Sequence, residues 1–455
     1  MHPSFEGGCF LIFKRVRGVR SVQEVVLKYG DQKVSIPVEG AKSVQYIYEN
    51  EMKEIDDIAK EFLYCLNEGA IGSKPLRELV SADDKVTIII SDMTRFWMRQ
   101  DILCGLLVRY LHEELGVSLA NISVVVALGT HRKSSDEELK KMAGEYTWER
   151  VAQVVDHDCD SSDLVYVGKT SRGTEVRVNP LVVGRKVICI SATVHHIMSG
   201  YGGGRKSIVP GVSCRNTIRQ NHERALDPVK AMSDIKVGSG KLIDNPINED
   251  MVEAAQLVDV TFGVSVVMNT SSQHSGFFCG NFDKAWRESC RYVQKCYGLP
   301  IENEADIVIA SCGGFPKDIN LYQSTKSLFN ASRAVKEGGT LILLAQCKEG
   351  GGADDFFAWN KPLQEGQLDE ALRKDFTIGG YIFYAACETL RKAETLLLGE
   401  IDPDEVKDMG IEAFTNIEHL LANVDFVGKD VYIIPNGGSV MPQLQEEYKR
   451  LCGNL

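Results

Sequence analysis

Two α/β domains with a cofactor and substrate cleft between them are the fold class predicted by this 455-residue chain. Short apolar runs alternate with amphipathic helical stretches, the signature of βα units. The runs fall into two series separated by CYGLPIENEAD, whose proline and charges suit a hinge near residue 300. Reactive side chains cluster just after the runs, where open α/β sheets bind ligands.

The first series begins with a strand over Val34–Val38 and a helix over Ile55–Leu66. KVTIIISD is a buried strand ending at Ser91 and Asp92, and the apolar spacing of MTRFWMRQDILCGLLVRYLHEELG fits a loop leading into a long helix. ISVVVALGTHR is the next strand, followed by an acidic helix in SSDEELKKMAGE. RVAQVVDHDC and KVICISATVHH repeat the pattern. Four strand ends thus deliver Asp92 with Arg95, His131 with Arg132, His157 with Asp158, and His195 with His196. The second series runs through ADIVIASCGGFP, a helix carrying Gln323 and Lys326, GGTLILLAQC and DVYIIPNGG. These boundaries predict a cofactor-binding domain over 1–298, a second domain over 299–435, and a segment over 436–455 returning to the first. Residues 1–20 read as an extension, since their apolar patch precedes their basic residues, the reverse of a signal peptide.

A formal charge of −12 argues against general nucleic-acid binding, which needs a basic footprint. No apolar run reaches the roughly 20 residues that span a bilayer, so no membrane partner is expected. The 13 cysteines are scattered without a CxxC pair, which points to a reducing, cytoplasmic setting.

The segment HHIMSGYGGGRKSIVPGVSCRNTIRQNH, residues 195–222, is the densest in chemistry. Gly200, Gly202, Gly203 and Gly204 permit positive φ and close backbone approach, and N–H groups in such a turn suit a phosphate. Arg205 and Lys206 border the turn as two cations, and His222 follows a Pro210–Gly211 break. A Walker loop is excluded because Arg205 stands where its last glycine belongs. A dinucleotide fingerprint is excluded because the histidine pair separates strand from glycines.

In order along the chain, these residues resemble the nickel-dependent lactate racemase family. The D-x-T-R motif appears as Asp92, Thr94 and Arg95, the G-x-H-R turn as Gly129, His131 and Arg132, and the H-D pair as His157 and Asp158. The signature H…G-x-x-G-G-x-K-x-I-x-P-G…N-H appears as His196, Gly200, Gly203, Gly204, Lys206, Ile208, Pro210, Gly211, Asn221 and His222. The Q-x-x-K motif appears as Gln323 and Lys326, after Tyr322.

The resemblance implies a nickel pincer nucleotide, a pyridinium-3,5-bisthiocarboxylic acid mononucleotide that binds nickel through sulfur, carbon and sulfur. Lys206 would tether it and His222 would supply the protein's nickel ligand, a donor set that suits nickel. The glycine turn, Asp92, Thr94 and Arg95 would hold its ribose and phosphate. The implied reaction is racemisation or epimerisation of a small 2-hydroxy acid by reversible hydride transfer through a 2-keto acid. His131 and His196 would be the paired acid–base groups, their ordinary pKa near 6.5 suiting either role. Arg95, Gln323, Lys326 and Tyr322 would hold the substrate, and cofactor maturation proteins are the implied partners. His195 reads as structural, His157 as a supporting residue, and His2, His112, His274 and His419 as incidental.

One departure stands out. Family members place prolines after D-x-T-R, whereas Phe96, Trp97, Met98 and Arg99 follow here. If Arg99 enters the cleft, a larger hydroxy acid such as malate or a sugar acid becomes the expected substrate. If these side chains pack the following helix, that expectation lapses. A non-catalytic protein that stores the nucleotide or nickel cofactor is the alternative from another class, and the presence of both His131 and His196 argues against it.

Overall fold

The structure is a computed structural model that describes residues 24–352 and 355–455, so the expected extension over 1–20 lies outside the described residues. Two six-stranded sheets organise it. In the first, the strand order is His274–Gly280, Val260–Met268, Lys186–Ala192, Val86–Ser91, Ile122–Ala127 and Gln153–Asp156, all parallel except the antiparallel edge strand His274–Gly280. Every residue of Val86–Ser91 is buried, as expected for a parallel strand covered on both faces. Because strand side chains alternate, Ile88 and Ile90 pack with Leu103 and Leu107 of the helix Gln100–Arg109, while Ile89 joins a core with Met198, Ile208 and Met251 on the other face. That second core continues into Val308, Ala310 and Leu341 of the other sheet. The segment that follows Ala192 therefore lies between the two sheets.

The second sheet is wholly parallel, in the order Ile411–Phe414, Glu394–Leu398, Val335–Leu344, Ala305–Ser311, Asp430–Ile434 and Ser43–Tyr46. Its last strand departs from the contiguous 1–298 domain. Ser43–Tyr46 pairs with Asp430–Ile434, and the hairpin formed by Glu24–Tyr29 and Gln32–Pro37 packs Val25, Leu27 and Ile36 on Ile307, Ile309 and Ile342. The described residues before about 47 thus build the second unit. A four-residue, incompletely buried strand pairing across the whole chain leaves little local pattern. At the other end, Met441–Leu444 pairs with Gly298–Ile301, and the helix Gln445–Gly453 packs on the helix Phe282–Tyr297 of the first unit.

The acidic helix after Arg132 spans Asp136–Ala143, opened by a Ser135–Glu138 capping box and ended at Gly144, where φ is +82°. After Asp92 the expected loop and the helix it leads into are both present. A 3₁₀ turn covers Met93–Met98, and the α-helix starts at Gln100 after Arg99 takes a left-handed conformation. Among the described residues no cysteine is in a disulfide, and all but Cys452 are buried. No helix among them is long and apolar enough to cross a membrane.

Candidate active site

In the first sheet the chain runs outward from Val86–Ser91 through Ile122–Ala127 to Gln153–Asp156, then returns to place Lys186–Ala192 on the opposite side of Val86–Ser91. Strand order reverses there, so the loops leaving the two central strands diverge and open a crevice. One loop carries Asp92–Arg95, the other His195–Lys206. The second sheet reverses between Ala305–Ser311 and Asp430–Ile434, and the loop after the former leads into the helix Leu321–Ala331.

Asp92 is buried, with 3% exposure, and both carboxylate oxygens are engaged. Oδ1 accepts from Thr94 Oγ1 at 2.8 Å and from an Arg95 guanidinium nitrogen at 3.0 Å, while Oδ2 lies 2.5 Å from His131 Nδ1. Burial pushes the Asp92 carboxyl up, but the His131 hydrogen bond and the Arg95 and His131 charges outweigh it and hold it below the usual range. With Nδ1–H donated to Asp92, His131 presents a bare Nε2. This differs from the expected role of Asp92 and Thr94 at the ribose and phosphate, because their polar atoms already orient His131 and Arg95. The same Arg95 nitrogen also reaches Thr94 Oγ1 at 2.9 Å, and the rest of the guanidinium makes no hydrogen bond with the described residues. The turn is clamped at both ends. Gln100 bonds both backbone groups of Ser91, and His274, which sequence reasoning set aside, bonds the Met98 carbonyl at 2.9 Å.

His195 and His196 form a two-residue strand against Gly200–Tyr201, so their rings point to opposite sides. His195 Nε2 bonds Gln294 at 3.1 Å and the ring packs 5.0 Å from Tyr201. Burial pulls its pKa down to about 4, consistent with a structural role. His196 Nδ1 accepts backbone N–H groups from Met198 at 3.2 Å and Ser199 at 3.3 Å, and its Nε2 lies 2.9 Å from Lys206 Nζ. Burial first, then the charges of Lys206 and Arg95, hold His196 well below its ordinary pKa. Burial and the charges of Arg95 and Arg205 do the same to the Lys206 amine.

The glycine turn faces protein rather than offering a phosphate cradle. Gly202 N–H bonds the Val194 carbonyl at 2.8 Å and Gly204 N–H bonds Ser191 Oγ at 2.9 Å. A Cβ would fall 2.6 Å from the Ala192 carbonyl oxygen at Gly203, where φ is +70°, and 2.5 Å from Trp286 at Gly204, where φ is +52°. Gly200 is the strand partner of His196. The glycines therefore seat the turn on the strand end and on Trp286, which places Lys206. Arg205 likewise turns inward instead of bordering an anion site. It stacks 3.8 Å over Trp286 and donates to Asn248, Tyr201, Gly203 and Ser199. Trp286, Asn248 and Gln294 escaped sequence reasoning because an aromatic or amide on a helix reads as ordinary packing.

His222 ends the helix Arg215–His222 with 2% exposure. Its Nδ1–H donates to the Ile218 carbonyl at 2.9 Å, and Nε2 has no hydrogen-bond partner among the described residues. Burial and the nearby Lys206 pull its pKa down to about 3, leaving a neutral imidazole with an open lone pair. A backbone acceptor on the far nitrogen is the usual support of a metal-binding histidine. Asn221 ties the helix to Asp250 at 2.8 Å, and buried Asp250 also accepts from Thr170 and Thr174. His157 bonds the Ser213 carbonyl at 2.9 Å, bracing the loop before this helix, whereas Asp158 pairs with Lys133 at 3.0 Å. Among the described residues, no three His, Cys, Asp or Glu side chains converge as a metal cage.

From the second unit, Lys326 Nζ donates to Gln323 Oε1 at 2.6 Å, one helical turn apart. Lys326 keeps an exposed surface, yet desolvation by the protein around its amine and the Arg95 charge pull its pKa down to about 8. Tyr322 packs edge-on against Phe356 and also feels Arg95. Arg95 thus acts electrostatically on both walls of the cleft. Arg132 stays outside, paired with Glu138. Arg99 does not supply the cation expected for a second substrate anion. Its Nε and one terminal nitrogen bond the two Asp101 oxygens at 3.0 Å each, because its left-handed backbone opens the helix that carries Asp101. Met98 is buried and Phe96 packs on the core beside the same sheet.

Sequence comparison agrees with this geometry. The lactate racemase N-terminal domain profile matches residues 29–233 and the C-terminal domain profile matches residues 301–442. The lactate racemase of Thermoanaerobacterium thermosaccharolyticum is 32% identical over 323 residues, 70% of this chain and 72% of that protein. That of Lactiplantibacillus plantarum is 30% identical over 311 residues, 68% of this chain and 70% of the relative. The lactate racemase apoprotein structure from T. thermosaccharolyticum superposes with a TM-score of 0.80 at 26% identity, covering 92% of this chain and all of that one. A Thermotoga maritima crystal structure shares the fold alone, with a TM-score of 0.63 at 16% identity, over 86% of this chain and all of that one. With two thirds of each curated relative aligned and both domain profiles matched in order, the chain belongs to the lactate racemase family.

Proposed function

We propose that the protein is an isomerase that racemises a short, lactate-like 2-hydroxy acid, using a nickel pincer nucleotide joined to Lys206. One observation carries the reading. A neutral His222 with an open Nε2 lies within the electrostatic reach of a buried Lys206 amine. The residues fit the cofactor because His222 presents a neutral imidazole with an open Nε2, a donor that suits nickel, within electrostatic reach of the Lys206 amine. Lys206 is the matching nucleophile for a covalent link. When bound, the nucleotide would supply a reversible hydride acceptor for interconversion of the hydroxy acid with a planar 2-keto acid.

The chain's own residues do the rest. Arg95, with guanidinium nitrogens still free, and Lys326, a cation below about pH 8, hold the carboxylate. Gln323 orients Lys326, and Tyr322 closes the wall beside it. His131 and His196 form the acid–base pair, each acting through Nε2. His131 rests as the base, its Nδ1–H given to Asp92, and His196 rests as the acid, its Nδ1 accepting backbone N–H groups and its Nε2 carrying the ring proton. Because Gln323 and Lys326 stand on the second unit, approach of the two units retains the keto acid.

The test is production with and without cofactor maturation proteins, followed by intact mass and chiral chromatography of D- and L-lactate without added NAD. The expected result is a covalent adduct on Lys206 together with interconversion in both directions. Interconversion by protein lacking any adduct would overturn the tether.

A further inference from the structure

The pairing of His196 with Lys206 is complete in the protein itself, and it defines the chemistry of the chain before any cofactor arrives. Because His196 Nδ1 accepts two backbone N–H groups, the proton of the neutral ring sits on Nε2. Nε2–H therefore points at Lys206 Nζ across 2.9 Å, and the lysine nitrogen is the acceptor. A nitrogen that accepts a hydrogen bond is an amine with a lone pair, hence a nucleophile at neutral pH. Arg95, whose charge reaches the Lys206 amine, keeps guanidinium nitrogens free of hydrogen bonds with the described residues, a binding site for a carboxylate.

We propose that in the cofactor-free chain Lys206 reversibly captures short 2-keto acids as an imine. A 2-keto acid carries its carbonyl carbon next to the carboxylate, so a carboxylate held by Arg95 presents that carbon toward the amine. As Nζ turns from His196, its lone pair forms the N–C bond and the carbonyl π pair moves to oxygen, which takes the Nε2 proton. The new ammonium returns a proton to His196, giving a neutral carbinolamine. Its hydroxyl then leaves as water with a proton from His196 while the nitrogen lone pair forms C=N, and the resulting iminium N–H gives its proton back to His196 Nε2. Amine and keto acid have become imine and water, with no change of oxidation state. Burial together with the Arg95 and Arg205 charges favours the neutral amine that starts the sequence. The inference goes beyond the racemase reading and does not depend on it.

Protein made without maturation proteins is incubated with pyruvate and cyanoborohydride, then analysed by intact mass and peptide mapping. The expected result is one reduced pyruvyl group, located on Lys206 and absent from Lys206→Arg. Acetone, a neutral ketone of similar size, should react at least about tenfold more slowly, since it forms no charge-assisted contact with Arg95. His196→Asn should slow labelling by about 10²-fold, the lower range for loss of an acid–base group. Mapping of the unmutated chain decides the matter even if a variant misfolds. Labels scattered over surface lysines with Lys206 untouched, or acetone reacting as fast as pyruvate, would overturn the proposal. Pyruvate capture by a protein that never gains a cofactor adduct after maturation would sustain this inference while removing the tether.

Discussion

Asp92 Oδ2 lies 2.5 Å from His131 Nδ1, joining the ends of two neighbouring strands of the first sheet through a buried carboxylate. That contact fixes which His131 nitrogen faces the cleft. Asp92→Asn would present an amide N–H to Nδ1, favour the opposite tautomer and place a proton on Nε2. Turnover by matured enzyme should fall about 10²–10⁴-fold with cofactor loading retained, as should turnover by His131→Ala and His196→Ala in both directions. Chiral chromatography and adduct mass separate these outcomes, and near-normal racemisation by Asp92→Asn would leave the carboxylate a structural role only.

Lys206 and His222 should separate covalent attachment from metal retention. Lys206→Ala should lose the adduct and, with it, bound nickel. His222→Ala should keep the adduct yet lose nickel on dialysis against a chelator, because one metal ligand is gone while the link remains. Metal analysis and intact mass on the same samples check both. Nickel retained by His222→Ala after dialysis would remove its assignment as ligand.

Adjacent residues 205 and 206 should behave oppositely in stability. Arg205 stacks on Trp286 and satisfies three backbone carbonyls, so Arg205→Ala leaves buried acceptors unpaired and should cost about 2–4 kcal/mol in denaturant unfolding. Lys206→Ala removes a side chain whose hydrogen-bond partner is His196 and should unfold within about 0.5–1 kcal/mol of the parent. Equal losses would mean that the turn does not depend on the Arg205 clamp.

Much of this was legible in the sequence because it is local. Fully apolar runs such as VTIIIS announce a parallel strand, and the residues after each run fall at the sheet edge where ligands bind. Side-chain direction was not legible. Spacing could not say that Asp92 turns to His131 rather than to a nucleotide, or that Arg205 faces inward while Lys206 faces the cleft. The glycines predicted tight turns correctly, at positive φ for Gly200, Gly203 and Gly204, but whether a ligand or Trp286 fills the space depends on a helix some 80 residues away. Ser43–Tyr46 was missed for a related reason, since its partner strand begins at Asp430.

The Arg99 pairing bears on substrate choice. With its Nε edge closed on Asp101, the Arg99 charge is already paired, and none of the shifted cleft groups feels it. Arg99→Ala should therefore leave the relative rates on lactate, malate, phenyllactate and a sugar acid unchanged. An exposed ion pair of this kind also contributes only about 0–1 kcal/mol, so stability should barely move. A selective loss of malate or sugar-acid turnover would restore Arg99 to the substrate pocket.

Lys326 gives the reaction an alkaline limb. Its ammonium is favoured below about pH 8 and lost above it, because desolvation and the Arg95 charge pull the pKa down from 10.5. Carboxylate binding should weaken as the charge disappears, so KM for lactate should rise through pH 8–9 while kcat changes less. Lys326→Met should raise KM at neutral pH and flatten that limb, since the group that titrates there has been removed. Lys326→Arg keeps a cation throughout and should also flatten the limb, but from the low-KM side if its longer fork still reaches the acid. A KM that stays level from pH 7 to pH 9.5 in the unmutated enzyme would show that Arg95 alone holds the carboxylate.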